Sequence, residues 1–132
     1  MKTLKYPITS ITFTSDIFTG STKLNTIEIY GTGSMQPYTH GNQPWNSIKN
    51  QIEIITFGEG IDRIGNYSFE ETGKLHTINW GGVKEIGEQT FASSGLTNIS
   101  ISTKVTTIET NAFMNCKSLT SVEYPVSATS YS

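Results

Sequence analysis

Three phenylalanines, Phe69, Phe91 and Phe113, stand 22 residues apart, and each closes the same short pattern. The pattern reads Ile61…Ile64…Phe69, then Val83…Ile86…Phe91, then Val105…Ile108…Phe113. Five or six residues beyond each phenylalanine a second pattern recurs, Leu-x-x-apolar-x-apolar. Its copies are Leu75…Ile78…Trp80, Leu96…Ile99…Ile101 and Leu119…Val122…Tyr124. A period in the low twenties with this internal spacing is the mark of a solenoid in which each repeat contributes one short strand. One coil cannot bury its own Ile, Phe and Leu, whereas stacked coils place the same positions in one continuous core.

The pattern also extends towards the N-terminus. Ile52…Ile55…Phe57 fits the strand half of a preceding coil, and Ile8…Ile11…Phe18…Leu24…Ile27…Ile29 fits a longer one. The expected organisation is a single domain over 1–132. It divides into an N-terminal repeat at 8–29, an insertion or cap at 30–47 and a partial repeat at 48–60. Repeats then follow at 61–82, 83–104 and 105–125, with a tail at 126–132. The fold class is thus a β-dominated solenoid of about four to five repeats, with a period of about 22–23 residues, parallel strands on one face and little helix. Composition agrees, since 20 Thr and 15 Ser disfavour helix and suit strands and turns.

The repeats resemble the BspA-like (Treponema-type) class of leucine-rich repeats. That class carries Ile-Gly-x-x-Ala-Phe, a Cys three residues on, then Leu-x-x-Ile-x-Ile-Pro. The segment Ala112-Phe113-Met114-Asn115-Cys116 with Leu119, Val122, Tyr124 and Pro125 matches it best. Ser68 and Thr90 replace the Ala, Gly81 and Ser102 replace the Pro, and Glu109 replaces the Gly kept at Gly65 and Gly87. The segment from Gly31 to Trp45 is similar to one that often precedes such repeats in bacterial surface proteins. The resemblance implies a right-handed leucine-rich-repeat coil in a secreted or cell-surface protein associated with adhesion. Its implied role is non-catalytic binding of a protein or glycan. The alternative is a structural spacer, or a phage or virion component without its own ligand.

Alternation along a strand places two residues of each outward when its apolar residues face inward. The candidate partner-binding residues are therefore Thr26 and Glu28, Ile54 and Thr56, Thr77 and Asn79, Asn98 and Ser100, and Ser121 and Glu123. A plain solvated surface accounts for the same pattern equally well. The insertion adds Tyr38 and Trp45, either as partner contacts or, on the favoured reading, as a cap over the core.

The remaining signals argue against other functions. Nine basic and eleven acidic residues are scattered, with no basic stretch to follow a phosphate backbone, so no nucleic-acid partner is expected. No apolar run reaches membrane-spanning length. Met1-Lys2-Thr3 is not followed by the apolar core of a signal peptide, so the expectation is either a protein not exported by that route or a domain cut from a longer chain. Cys116 occupies the repeat position of Thr72 and Ser94, which reads as a small packed site rather than a nucleophile. His40 and His76 lack metal-ligand spacing, and Glu70-Glu71 reads as a solvated corner. No catalytic, cofactor or metal site is expected. The open C-terminal coil suggests end-to-end self-association, or further repeats in a longer parent chain.

Overall fold

The computed structural model describes residues 2–8, 24–123 and 130–131. Ile11 and Phe18 of the expected first repeat, and Tyr124 and Pro125 of the last, lie outside the described residues. The chain winds as a solenoid with two parallel sheets. One face carries β1 (Lys2–Pro7), β2 (Leu24–Tyr30), β4 (Ile54–Phe57) and β6 (Thr77–Asn79) as one ladder, and β8 (Asn98–Ser100) with β10 (Ser121–Glu123) as another. A second face, not anticipated from the sequence, carries β3 (Gly33–Ser34), β5 (Ile61–Ile64), β7 (Glu85–Ile86), β9 (Thr107–Ile108) and β11 (Ser130–Tyr131). The strands are short because a coil of about 22 residues must turn several corners within one circuit. They are parallel because every coil runs in the same sense.

The core lies between the two sheets and a third side built from the phenylalanine turns. Ile27, Ile29, Ile55, Phe57, Ile99 and Ile101 enter it from the first face, and Ile61, Ile64, Val83, Ile86, Val105 and Ile108 from the second. The third side is a column of rings. Phe69 stacks on Phe91 with centroids 6.0 Å apart, and Phe91 on Phe113 at 5.5 Å, their planes within 14°.

Two structural details account for departures from the family pattern. The hydroxyls that replace Ala bond to nearby carbonyls: Ser68 Oγ donates to Gly65 O at 2.5 Å, and Thr90 Oγ1 to Gly87 O at 2.8 Å. They are buried but satisfied, so the polar substitution carries little penalty. Gly65 is retained because a Cβ there would run into the Gln36 carbonyl of the preceding coil.

The segment expected as an insertion is an elongated coil. Its strand Gly33–Ser34 joins the second sheet beside Ile61–Ile64, and a 3-10 helix at Asn46–Gln51 leads back to the first. Trp45 then fills the column position before Phe69, stacked at 5.1 Å with planes 10° apart. Within the segment expected as a tail, Ser130–Tyr131 pairs with Thr107–Ile108.

Candidate functional site

The first face presents the outward residues as two rows. Register places Thr26, Ile54 and Thr77 side by side in one row, and Glu28, Thr56 and Asn79 in the other. Ser121 pairs with Asn98, and Glu123 with Ser100. Asn79, Asn98, Ser100, Ser121 and Glu123 are exposed, while Glu28, Ile54, Thr56 and Thr77 are half-buried. Thr26 departs from the expectation of an outward contact. It is only 8% exposed, lies between Thr3 of β1 and Ile54 of β4, and its hydroxyl donates to Asn25 Oδ1 at 3.0 Å.

Neighbouring rungs are joined by side chains. Asn79 Nδ2 donates to Thr56 Oγ1 at 3.0 Å, and Ser100 Oγ to a Glu123 oxygen at 3.1 Å. Beside the rows, Glu53 accepts from Asn25 Nδ2 at 3.2 Å and faces His76 Nε2 at 3.5 Å. The sequence pattern missed Glu53 and His76 because both precede the strand in their coil, where alternation makes no assignment.

The ladder breaks between β6 and β8. The step from Ile78 to Ile99 is 21 residues, whereas Ile55 to Ile78 and Ile99 to Val122 are each 23. One residue is missing before Phe91 and one in the turn after it, relative to the coils on either side, and the two strands do not pair. Trp80 bridges the gap: its indole N–H donates to Ser100 O at 3.0 Å while the ring packs edge-on to Phe91.

The elongated coil is pinned by a carboxylate. Glu70 is not a solvated corner but 5% exposed, because the 39–43 turn folds over it. It accepts from His40 Nδ1 at 2.7 Å, Gly41 N–H at 2.9 Å and Gln43 Nε2 at 2.9 Å. The His40 pKa is raised, chiefly by that hydrogen bond and then by the Glu70 charge. Next to it, Lys49 Nζ donates to Glu71 at 2.6 Å and lowers the Glu71 pKa.

Of the two aromatics expected as a cap or else as partner contacts, Tyr38 is half-buried and packs edge-to-face with Trp45. Trp45 is 1% exposed between Tyr6, Tyr38 and Phe69, and its N–H donates to Ser68 O at 2.7 Å. No face of that ring is free for a ligand. Cys116 continues the column of Thr72 and Ser94, its thiol donating to Phe91 O at 3.2 Å and lying 3.3 Å from Ser94 Oγ.

The chain shares its architecture with bacterial leucine-rich repeat proteins. A leucine-rich repeat protein from Bacteroides ovatus superposes with a TM-score of 0.54 at 21% identity, over 81% of this chain and 33% of that one. One from Eubacterium ventriosum gives 0.43 at 20% identity, over 78% of this chain and 40% of that one. The chain therefore spans well under half the length of either. No curated protein matches it. No helix among the described residues is long and apolar enough to cross a membrane. Residues 45–132, which begin at the first ring of the column, match the BspA type leucine rich repeat region in six copies. The chain belongs to the BspA-type leucine-rich repeat family.

Proposed function

We propose that this chain is a non-catalytic binding module of a cell-surface or secreted protein, engaging a protein, or else a glycan, through the outer rows of its first sheet. The observation that carries the reading is the set of exposed polar side chains at Asn79, Asn98, Ser100, Ser121 and Glu123. Asn98, Ser100, Ser121 and Glu123 project from two paired parallel strands, about 4.8 Å apart in such sheets, and Asn79 lies across the break on β6. Backbone fixed by the core holds these groups in place, so a partner loses little to ordering them. Leucine-rich repeats of this family are generally interaction modules, which supports binding rather than catalysis. The rows carry no exposed aromatic or arginine anchor, so the expected affinity is modest, with Kd in the micromolar range. Tyr38, at the elongated coil, would contribute only its outer edge.

The test is capture of matrix proteins and glycans by the immobilised chain, compared with Asn98→Arg and Ser100→Arg. The expected result is a micromolar ligand whose binding falls at least about tenfold in both variants while Tm is unchanged. Binding that survives both variants would move the site off this face. Failure to bind anything at that affinity would leave the spacer reading in possession.

A further inference from the structure

The shortened turn after Phe91 leaves a notch in the side of the solenoid. Leucine follows Phe69 and Phe113 by six residues but Phe91 by only five. The short turn lies close against the coil before it. Gly95 N–H donates to Thr72 O at 3.0 Å, and a Cβ on Gly95 would collide with the Gly73 carbonyl. The coil after it keeps the full length, and the N–H groups of Lys117 and Ser118 meet no acceptor among the described residues. An open cavity of about 440 Å³ results. Gly73 lines it from the earlier coil, Ser93, Ser94 and Gly95 from the short turn, and Asn115, Lys117 and Ser118 from the later coil. Ser94 is 5% exposed and held in place by Cys116, whose Sγ lies 3.3 Å from its Oγ. The walls belong to the two coils that flank the short turn, so the notch comes from the missing residue. A further coil stacked beyond Phe113 would lie behind the Lys117 wall and leave the notch as it is.

The lining specifies the ligand. It offers the hydroxyls of Ser93 and Ser118, the amide of Asn115 and the ammonium of Lys117, with no carboxylate and no large apolar side chain. Among the described residues none of these four side chains has another partner. Lys74, next to Gly73, is likewise unpaired, while Glu71 is taken up by Lys49 at 2.6 Å. An uncompensated ammonium beside free N–H groups favours an oxyanion. The volume lies in the range of small-molecule sites, which leaves room for more than a bare ion. Hydroxyls and an amide around that room match a ligand rich in hydroxyls. We infer that this notch is a second binding site, which takes a sugar residue carrying an acidic group, a carboxylate or a sulfate. Lys117 and the Lys117 and Ser118 N–H groups receive the acid, and Ser93 and Asn115 the ring hydroxyls. No aromatic ring lines the notch to stack on the sugar, so a single residue binds with Kd in the millimolar range. This site is independent of the strand-face rows proposed above, so either can fail alone.

The probes are glucuronate and glucose sulfate, with glucose and sodium sulfate as controls, titrated into the full chain and followed by amide NMR. Either acidic sugar should give saturable shifts at Ser94, Gly95, Lys117 and Ser118. Glucose and sodium sulfate should each bind at least about fivefold more weakly. Lys117→Gln should weaken the acidic sugars by about fivefold, and Lys117→Arg should keep most of the affinity. An absence of shifts at about 50 mM of both acidic sugars would overturn the inference. So would equal binding by either control, or binding unchanged in Lys117→Gln. Shifts confined to Asn98, Ser100, Ser121 and Glu123 would overturn it too, because they would give the acidic sugar to the strand face.

Discussion

Trp45 lies parallel to Phe69, with centroids 5.1 Å apart, so an indole heads a column that the repeat continues with phenylalanines. The column passes through every coil from the elongated one to the last, and its members are not equivalent. Phe69 and Phe91 have rings on both sides, whereas Phe113 has a described ring on one side only. Phe91→Ala should therefore cost about 3–5 kcal/mol through the cavity it leaves. Phe113→Ala should cost roughly half of that, since its site is partly open. Urea melts of the two variants measure the ratio, and equal costs would contradict the lesser burial of Phe113.

Glu70 holds the elongated coil through three donors, which makes it more than a surface charge. Glu70→Ala leaves Gln43 Nε2 and Gly41 N–H without their carboxylate and should destabilise by about 1–3 kcal/mol. Proteolysis should then begin within 39–43 before global unfolding. Cleavage elsewhere first would show that the coil is held by its other contacts, such as Trp45 and the pairing of Gly33–Ser34, without Glu70.

His40 makes this anchor sensitive to pH. Its folded pKa lies above the ordinary histidine value, so its contribution is fully present below about pH 6.5 and is lost as pH rises through the folded pKa. The His40 side chain is 71% exposed, so the expected change in Tm is small. Glu71 acts in the opposite direction. Its lowered pKa gives stability that is present above the usual carboxylate range and lost in acid. Melts across both ranges should show the two slopes, and His40→Gln should remove the upper one. An unchanged upper slope in that variant would assign it to another group.

Gln89 adopts φ of 51°, a conformation that disfavours residues with a Cβ. Its neighbours in the repeat are Tyr67 and Asn111, and only asparagine visits this region readily. Gln89→Asn should stabilise by up to about 1 kcal/mol, while Gln89→Val should destabilise. Thermal melts of both variants check the sign.

Arg63 links three coils, donating to Glu85 at 3.3 Å, to Glu109 at 2.8 Å and to Asn66 at 3.0 Å. Glu109 stands where the family repeat carries Gly, and this partner gives the substitution a role. Arg63→Ala should cost about 1 kcal/mol, less in high salt. A salt-independent loss would point to packing of the side-chain stem instead.

The 22-residue spacing by itself determined the solenoid, its parallel strands and the ring column from Phe69 to Phe113, because a stacked repeat must bring equal positions together. Alternation within each strand separately assigned the residues that point away from the core, and Thr26, 8% exposed, departs from that assignment. Only the tertiary structure decided the rest. Trp45 joined the column from a segment that lacks the repeat spacing, since a longer coil can deliver any ring that reaches the vacant position. Glu70 became buried because a turn 30 residues earlier folds over it. The second sheet was not legible because strands as short as Glu85–Ile86 carry too few residues to alternate visibly, and stacking of the coils is what pairs them. The break at Trp80 goes with a step from Ile78 to Ile99 two residues shorter than those on either side. Periodicity reports what every coil shares, and the features peculiar to one coil depend on which neighbours stacking brings to it.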